Sequence, residues 1–181
     1  GDDAQQSLHY GRLVNDRAFE RVTSYLAQGK ILVGGRTDPS DRYIEPTLLA
    51  EVDPGAPVMQ EEIFGPVLPM LPFDDIGEAV ALINDREKPL ALYYFGPEKT
   101  GREVLLHTSS GGACINDTIM QIANDRLPFG GVGNSGMGRY HGHDSFDAFS
   151  LRRGVVESPA RPDLPLRYPP YKGFRWVKKI L

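Results

Sequence analysis

One cysteine and one tryptophan occur in 181 residues, and no apolar run approaches the ~18 residues that a membrane-spanning helix needs. A lone thiol excludes a disulfide framework and suits a reducing compartment. The first ten residues, GDDAQQSLHY, have neither the basic nor the apolar region of a secretory signal, so the expected location is cytoplasmic. No set of Cys, His and carboxylates has the spacing of a four-ligand zinc site: His141 and His143 in YHGH stand without a third ligand and read as packing or surface residues. His9 and His107 stand alone.

What is present is an ordinary soluble composition, 40% hydrophobic and 24% charged, in a chain long enough to bury about two thirds of its unfolded surface. The charge is uneven. From residue 151 onward, eight Lys and Arg face two acidic residues, which leaves −10 of the net −4 on the first 150 residues. The same segment holds five of the fifteen prolines, in SPARPDLPLRYPPYKGF, the composition of an extended arm. The division expected is therefore a folded body over 1–150 and an arm over 151–181. No aromatic-interleaved basic platform accompanies the arm, which argues against nucleic acid and for a body surface of the same or a second subunit. Arg152 and Arg153 in LRRGVVE open a segment expected to form an edge strand.

Along the body, strands and helices alternate. NDRAFERVTSYLAQGK predicts a helix capped by Asn15, with Phe19, Val22 and Leu26 on one stripe and Gly29 past its end. ILVGG, YIEPTLL, VLPMLPF, LALYYFG and GGACIND predict strands. DDIGEAVALIND predicts a helix with Asp75 and Glu78 at capping-box spacing, and PEKTGREVLLHTS a second one opened by Pro97. The pattern implies an α/β fold, a mainly parallel sheet with helices on both faces.

Three stretches invite a functional reading. Gly131, Gly133 and Gly136 spell G-x-G-x-x-G, but the upstream ANDRLPF is no strand and the glycines of MGRYHGHDSF discourage a helix start, so a phosphate cradle is not expected. The stretch MQEEIFGPVLP sets two carboxylates, a phenyl ring and a Gly-Pro turn before a strand. A carboxylate at such an edge can accept both hydroxyls of a ribose and a ring can pack on a planar heterocycle; a capped turn with a core phenylalanine explains the same residues. Cys114, at an alternating strand position with no neighbouring histidine or helix start, reads as a small core residue.

EEIFGPVLP, INDREKPLALYYFG, SSGGACINDTIM and LPFGGVGNSGMGRYHGHDSFDAFS, in this order, resemble the carboxyl-terminal part of the NAD(P)-dependent aldehyde dehydrogenases. The last of them, with the ending LRYPPYKGF, resembles the class 3 branch. The resemblance implies part of an enzyme that oxidises an aldehyde to a carboxylic acid through a cysteine thioester, with NAD or NADP as hydride acceptor. It also implies that the nucleophilic cysteine, the general-base glutamate and the dinucleotide-binding domain lie elsewhere, so the 181 residues alone are expected to be inactive. Carried over by position, it assigns Glu62 to the nicotinamide ribose and Phe64 to the nicotinamide ring. It assigns Asn116, Ile119, Met120 and Phe129 to the aldehyde tunnel, and it implies a homodimer. Glu61 is left to turn capping or solvent. The alternative is a non-catalytic binding or assembly module on the same fold.

Overall fold

The computed structural model describes residues 3–159, 161, 168–170 and 178. Two compact units divide the chain, Gly1–Asp85 and Arg86–Leu181.

The first unit opens with α1, Asp16–Tyr25, because the Asn15 side chain accepts from the Ala18 amide and satisfies one of the helix's orphan donors. A 3-10 turn, Leu26–Gln28, continues it to Gly29. The buried stripe is Phe19, Val22 and Tyr25; Leu26, expected on that stripe, is half-buried against the same core. The strands β1 (Lys30–Val33), β2 (Thr37–Asp38), β3 (Tyr43–Ile44) and β4 (Thr47–Ala50) follow, with Pro46 splitting the predicted YIEPTLL strand in two. Then come the short helix α2 (Pro57–Gln60), β5 (Val67–Pro69) and α3 (Ile76–Asn84). Phe19, Val22, Tyr25, Ile44, Leu49, Val52, Val58 and Val67 form one core.

The sheet of this unit, in the order β1-β4-β5, is mixed rather than mainly parallel. β1 pairs antiparallel with β4, and β4 parallel with β5. The difference follows from the connections. Parallel pairing needs a crossover of a dozen or more residues, which the segment carrying α2 supplies between β4 and β5. Between β1 and β4 the chain only turns back through the small antiparallel pair β2-β3. At the start of α3, Asp75 caps the Gly77 amide as its spacing implies, but Glu78 accepts from the Asp74 amide, one residue before the position a capping box would use.

The second unit carries a β-α-β crossover: β6 (Ala91–Tyr94), α4 (Glu98–His107) and β7 (Gly112–Ile115), with β6 and β7 parallel in the register Ala91 to Gly112 through Tyr94 to Ile115. Helix α5 (Met120–Ala123) follows, and α6 (Gly142–Ala148) closes the described body. The appearance of α6 corrects the expectation that the glycines of MGRYHGHDSF discourage a helix start. Gly142 takes φ of 50° and the preceding His141 amide donates to Ser145 Oγ at 2.8 Å, so side chain and glycine together make the turn into the helix. Residues 151–159 have no ladder partner among the described residues, and a strand forms only against a neighbour. Most of the arm expected beyond them lies outside the described residues.

Candidate functional site

The acidic pair of MQEEIFGPVLP stands at the end of α2, where the chain leaves the helix for β5. Its two carboxylates have different fates. Glu61 accepts from the Tyr25 hydroxyl at 2.8 Å and lies 3.7 Å from the Arg21 guanidinium, so it is tied to α1 rather than left to solvent. The Glu62 side chain is exposed, with no hydrogen bond or ion pair among the described residues, while its backbone carbonyl accepts from Arg21. Burial pushes the Tyr25 phenol up from its ordinary value, and the bond to Glu61 adds to the shift.

Phe64 is 72% exposed and sits at φ of 47°, in the left-handed region that non-glycine residues rarely enter. The phenyl ring is thus exposed at a backbone position that costs energy to hold. Its neighbour Gly65 lies against α1, where a Cβ would come within 2.7 Å of Val22 Cγ1. The turn is thus pressed onto the core on one side and presents Glu62 and Phe64 on the other.

In the second unit, Asn116, Ile119 and Met120 share the turn between β7 and α5. Asn116 has a local structural part: its Oδ1 accepts from the Gly96 amide at 2.8 Å and its Nδ2 donates to the Gly96 carbonyl at 2.9 Å, locking the loop after β6 to the end of β7. It also borders an open groove of about 430 Å³ lined by Glu98, Arg102, Leu105, Ala113 and Ile115. Ile119 takes φ of 68°, an outlier for a β-branched residue, and is 60% exposed; Met120 beside it is 53% exposed. The turn therefore presents two large apolar side chains outward.

Cys114 is half-buried, and it does more than fill space. Its thiol donates to Gln121 Oε1 at 2.9 Å, and Gln121 Nε2 donates to the Tyr93 hydroxyl at 3.0 Å. Gln121, 8% exposed, thereby fastens α5 to both strands of the crossover. No sequence pattern marks it.

Phe129 packs edge-on to Tyr140, with centroids 5.5 Å apart, and stacks on His141 at 5.9 Å. The backbones of Phe129 and Tyr140 exchange two hydrogen bonds, 2.8 and 2.9 Å, closing the glycine-dense loop between them. Inside it Ser135 Oγ accepts from the Val132 amide and donates to the Val132 carbonyl, and a Cβ on Gly131 would stand 2.0 Å from the Ser135 carbonyl oxygen. The loop folds on its own backbone, so its glycines serve close approach and not a phosphate cradle. His141 belongs to this aromatic cluster, and His143 is exposed, 3.5 Å from Asp147. No group of three or more His, Cys, Asp or Glu suited to a metal ion occurs among the described residues.

The candidate residues thus fall on both units, Glu62 and Phe64 on the first, and Asn116, Ile119, Met120 and Phe129 on the second. Sequence comparison matches residues 1–155 to the aldehyde dehydrogenase family. The chain is 53% identical over 173 residues to the dimeric NADP-preferring aldehyde dehydrogenase of Rattus norvegicus, covering 94% of this chain and 38% of that protein. It is 48% identical over 182 residues to 4,4'-diaponeurosporen-aldehyde dehydrogenase of Staphylococcus aureus, covering 98% and 40%, and 51% identical over 173 residues to aldehyde dehydrogenase family 3 member B1 of Homo sapiens, covering 94% and 37%. Among solved structures, the substrate-bound state of Staphylococcus aureus AldH superposes with a TM-score of 0.82 at 47% identity, over 98% of this chain and 40% of that one. An NAD+ complex of Mycobacterium tuberculosis aldehyde dehydrogenase superposes with a TM-score of 0.68 at 31% identity, over 77% and 30%. The chain spans about two fifths of the length of the first relatives it matches.

Proposed function

The chain belongs to the aldehyde dehydrogenase family, and we propose that it is the carboxyl-terminal part of the catalytic domain of a class 3-like enzyme that oxidises an aldehyde to a carboxylic acid with NAD(P)+. The observation that carries this reading is the turn at 62–64: a carboxylate without a partner among the described residues, beside an exposed phenyl ring at φ of 47°. These residues fit a nicotinamide riboside. Glu62 accepts the ribose hydroxyls through two carboxylate oxygens, and Phe64 lays its face against the nicotinamide, fixing it for a single orientation. Held there, NAD(P)+ would supply the acceptor for the hydride released in the oxidation.

Ile119 and Met120 give an apolar wall to the aldehyde, with Asn116 holding their turn in place, and Phe129 closes the same passage from its aromatic cluster. Water exclusion by these side chains suits an aldehyde with an apolar body. The covalent step runs through a cysteine thioester formed on a part of the enzyme outside these 181 residues, as do general-base assistance and most of the dinucleotide contacts. Cys114, hydrogen-bonded to Gln121 and without a neighbouring base, takes no part in it. The enzyme works as a cytoplasmic homodimer, in which residues 151–157 supply an edge strand.

NADH or NADPH formation followed by absorbance, with aromatic and medium-chain aldehydes, tests the reading. The complete enzyme is expected to turn over and the purified 181 residues are not; turnover by the 181 residues alone would refute the division of labour. No cofactor-dependent oxidation by the complete protein would favour a non-catalytic module.

A further inference from the structure

We propose that Arg21, on α1, is a positioning residue that sets the geometry of Glu62 and Phe64, an inference that rests on the cofactor role assigned to those two residues above. The Arg21 guanidinium reaches 41 and 42 residues along the chain to two successive carbonyls: Nη1 donates to Glu62 O at 3.2 Å and Nη2 to Ile63 O at 2.8 Å. Gripping two adjacent peptide planes fixes the direction of the Glu62 side chain and the backbone torsion at which Phe64 follows. The planar fork suits this task where a single ammonium would not.

The fork is itself held. Nη1 also donates to the Tyr25 hydroxyl at 2.6 Å, the guanidinium lies over the Tyr25 ring at 5.4 Å from its centroid, and Glu61 accepts from the Tyr25 hydroxyl at 2.8 Å. This divides the acidic pair into two tasks. Glu61 lies close enough to Arg21 to balance its charge, so Glu62 remains free to meet a ligand. Phe64 could relax from its left-handed torsion if the turn were loose; Arg21 on the carbonyls and Gly65 against Val22 together deny it that freedom.

Initial rates of the complete enzyme, at varied NAD(P)+ and varied aldehyde, test this. Arg21→Met keeps an unbranched apolar stem and removes every donor; it is expected to raise the cofactor KM about tenfold while the aldehyde KM stays within about twofold. Arg21→Lys, with a point donor in place of the fork, should fall between, and it carries the comparison if the methionine variant does not fold. In a Glu62→Gln background, Arg21→Met should add clearly less than tenfold, at most about fivefold, because only the part of its effect that runs through Phe64 remains. A general loss of packing would multiply equally in both backgrounds. A cofactor KM that stays within about twofold of the parent for both Arg21 variants, or the same roughly tenfold step in the Glu62→Gln background, would overturn the proposal. Failure of the parent enzyme to oxidise any aldehyde would instead refute the functional reading. Amide exchange over residues 61–67 then still decides the grip of Arg21: faster exchange in Arg21→Met supports it, and unchanged exchange overturns it.

Discussion

Adding one methyl group at Gly65 tests how the 62–65 turn is pressed onto the core. A Cβ there would stand 2.7 Å from Val22 Cγ1 and 3.0 Å from Cγ2, distances that packed atoms do not tolerate. Val22 is fully buried and belongs to the core shared by α1, β4 and β5, so it has nowhere to withdraw. The turn must move outward or the core must shift, and overpacking of this kind costs about 1–3 kcal/mol. For a chain of this size that corresponds to a fall of roughly 2–12 °C in Tm, measured by circular dichroism. The decisive measurement is the pair. Val22→Ala alone removes two methyl groups and should cost about 2 kcal/mol. With Gly65→Ala it makes the room the new methyl needs, so the double variant should lie at least about 1 kcal/mol above the sum of the singles. Strict additivity, or an unchanged Tm for Gly65→Ala, would show that the turn does not lean on Val22.

Three further changes have defined outcomes. Tyr25 carries a phenol pushed above its ordinary value of 10.0, so its contribution to stability is fully present below that pH and lost as pH rises through the folded value; Tyr25→Phe should flatten the alkaline fall of Tm, and an unchanged alkaline profile would contradict the assignment. Asn116→Ala removes both bonds to Gly96 and places alanine at φ of 57°, for a loss of about 2 kcal/mol, whereas Asn116→Gly keeps the torsion and should lose about 1 kcal/mol less in urea unfolding. Cys114→Ala should leave aldehyde turnover of the complete enzyme within about twofold, since its thiol only donates to Gln121; abolished turnover with the fold intact would make it the nucleophile.

The parts of the fold that are legible in the sequence are those written in neighbouring residues. Asn15 marks the start of α1 because its side chain reaches an amide three residues on, and Asp75 does the same for α3 within two. The β6-α4-β7 crossover is equally local: Pro97 stands just before the helix, and two apolar strands flank it. Local signs fail where a distant partner decides. Glycines around His141 discourage a helix until Ser145 closes the first turn of α6. The antiparallel pairing of β1 with β4 depends on how a short connection folds back, which periodicity does not record.

The candidate site divides along the same line. Glu62, Phe64, Ile119 and Met120 stand out in the sequence because four motifs in order resemble one family, and their exposure in the structure suits residues that meet a ligand. Arg21, Tyr25 and Gln121 carry no signal of their own.

The sequence by itself determined the α/β character and the family, since helix caps, strand runs and contiguous motifs act over a few positions. Only the tertiary structure decided which carboxylate of the 61–62 pair is tied down and that the glycine loop closes on itself through Phe129 and Tyr140. Those outcomes depend on groups 11 to about 40 residues apart meeting in space, and sequence distance does not encode such meetings.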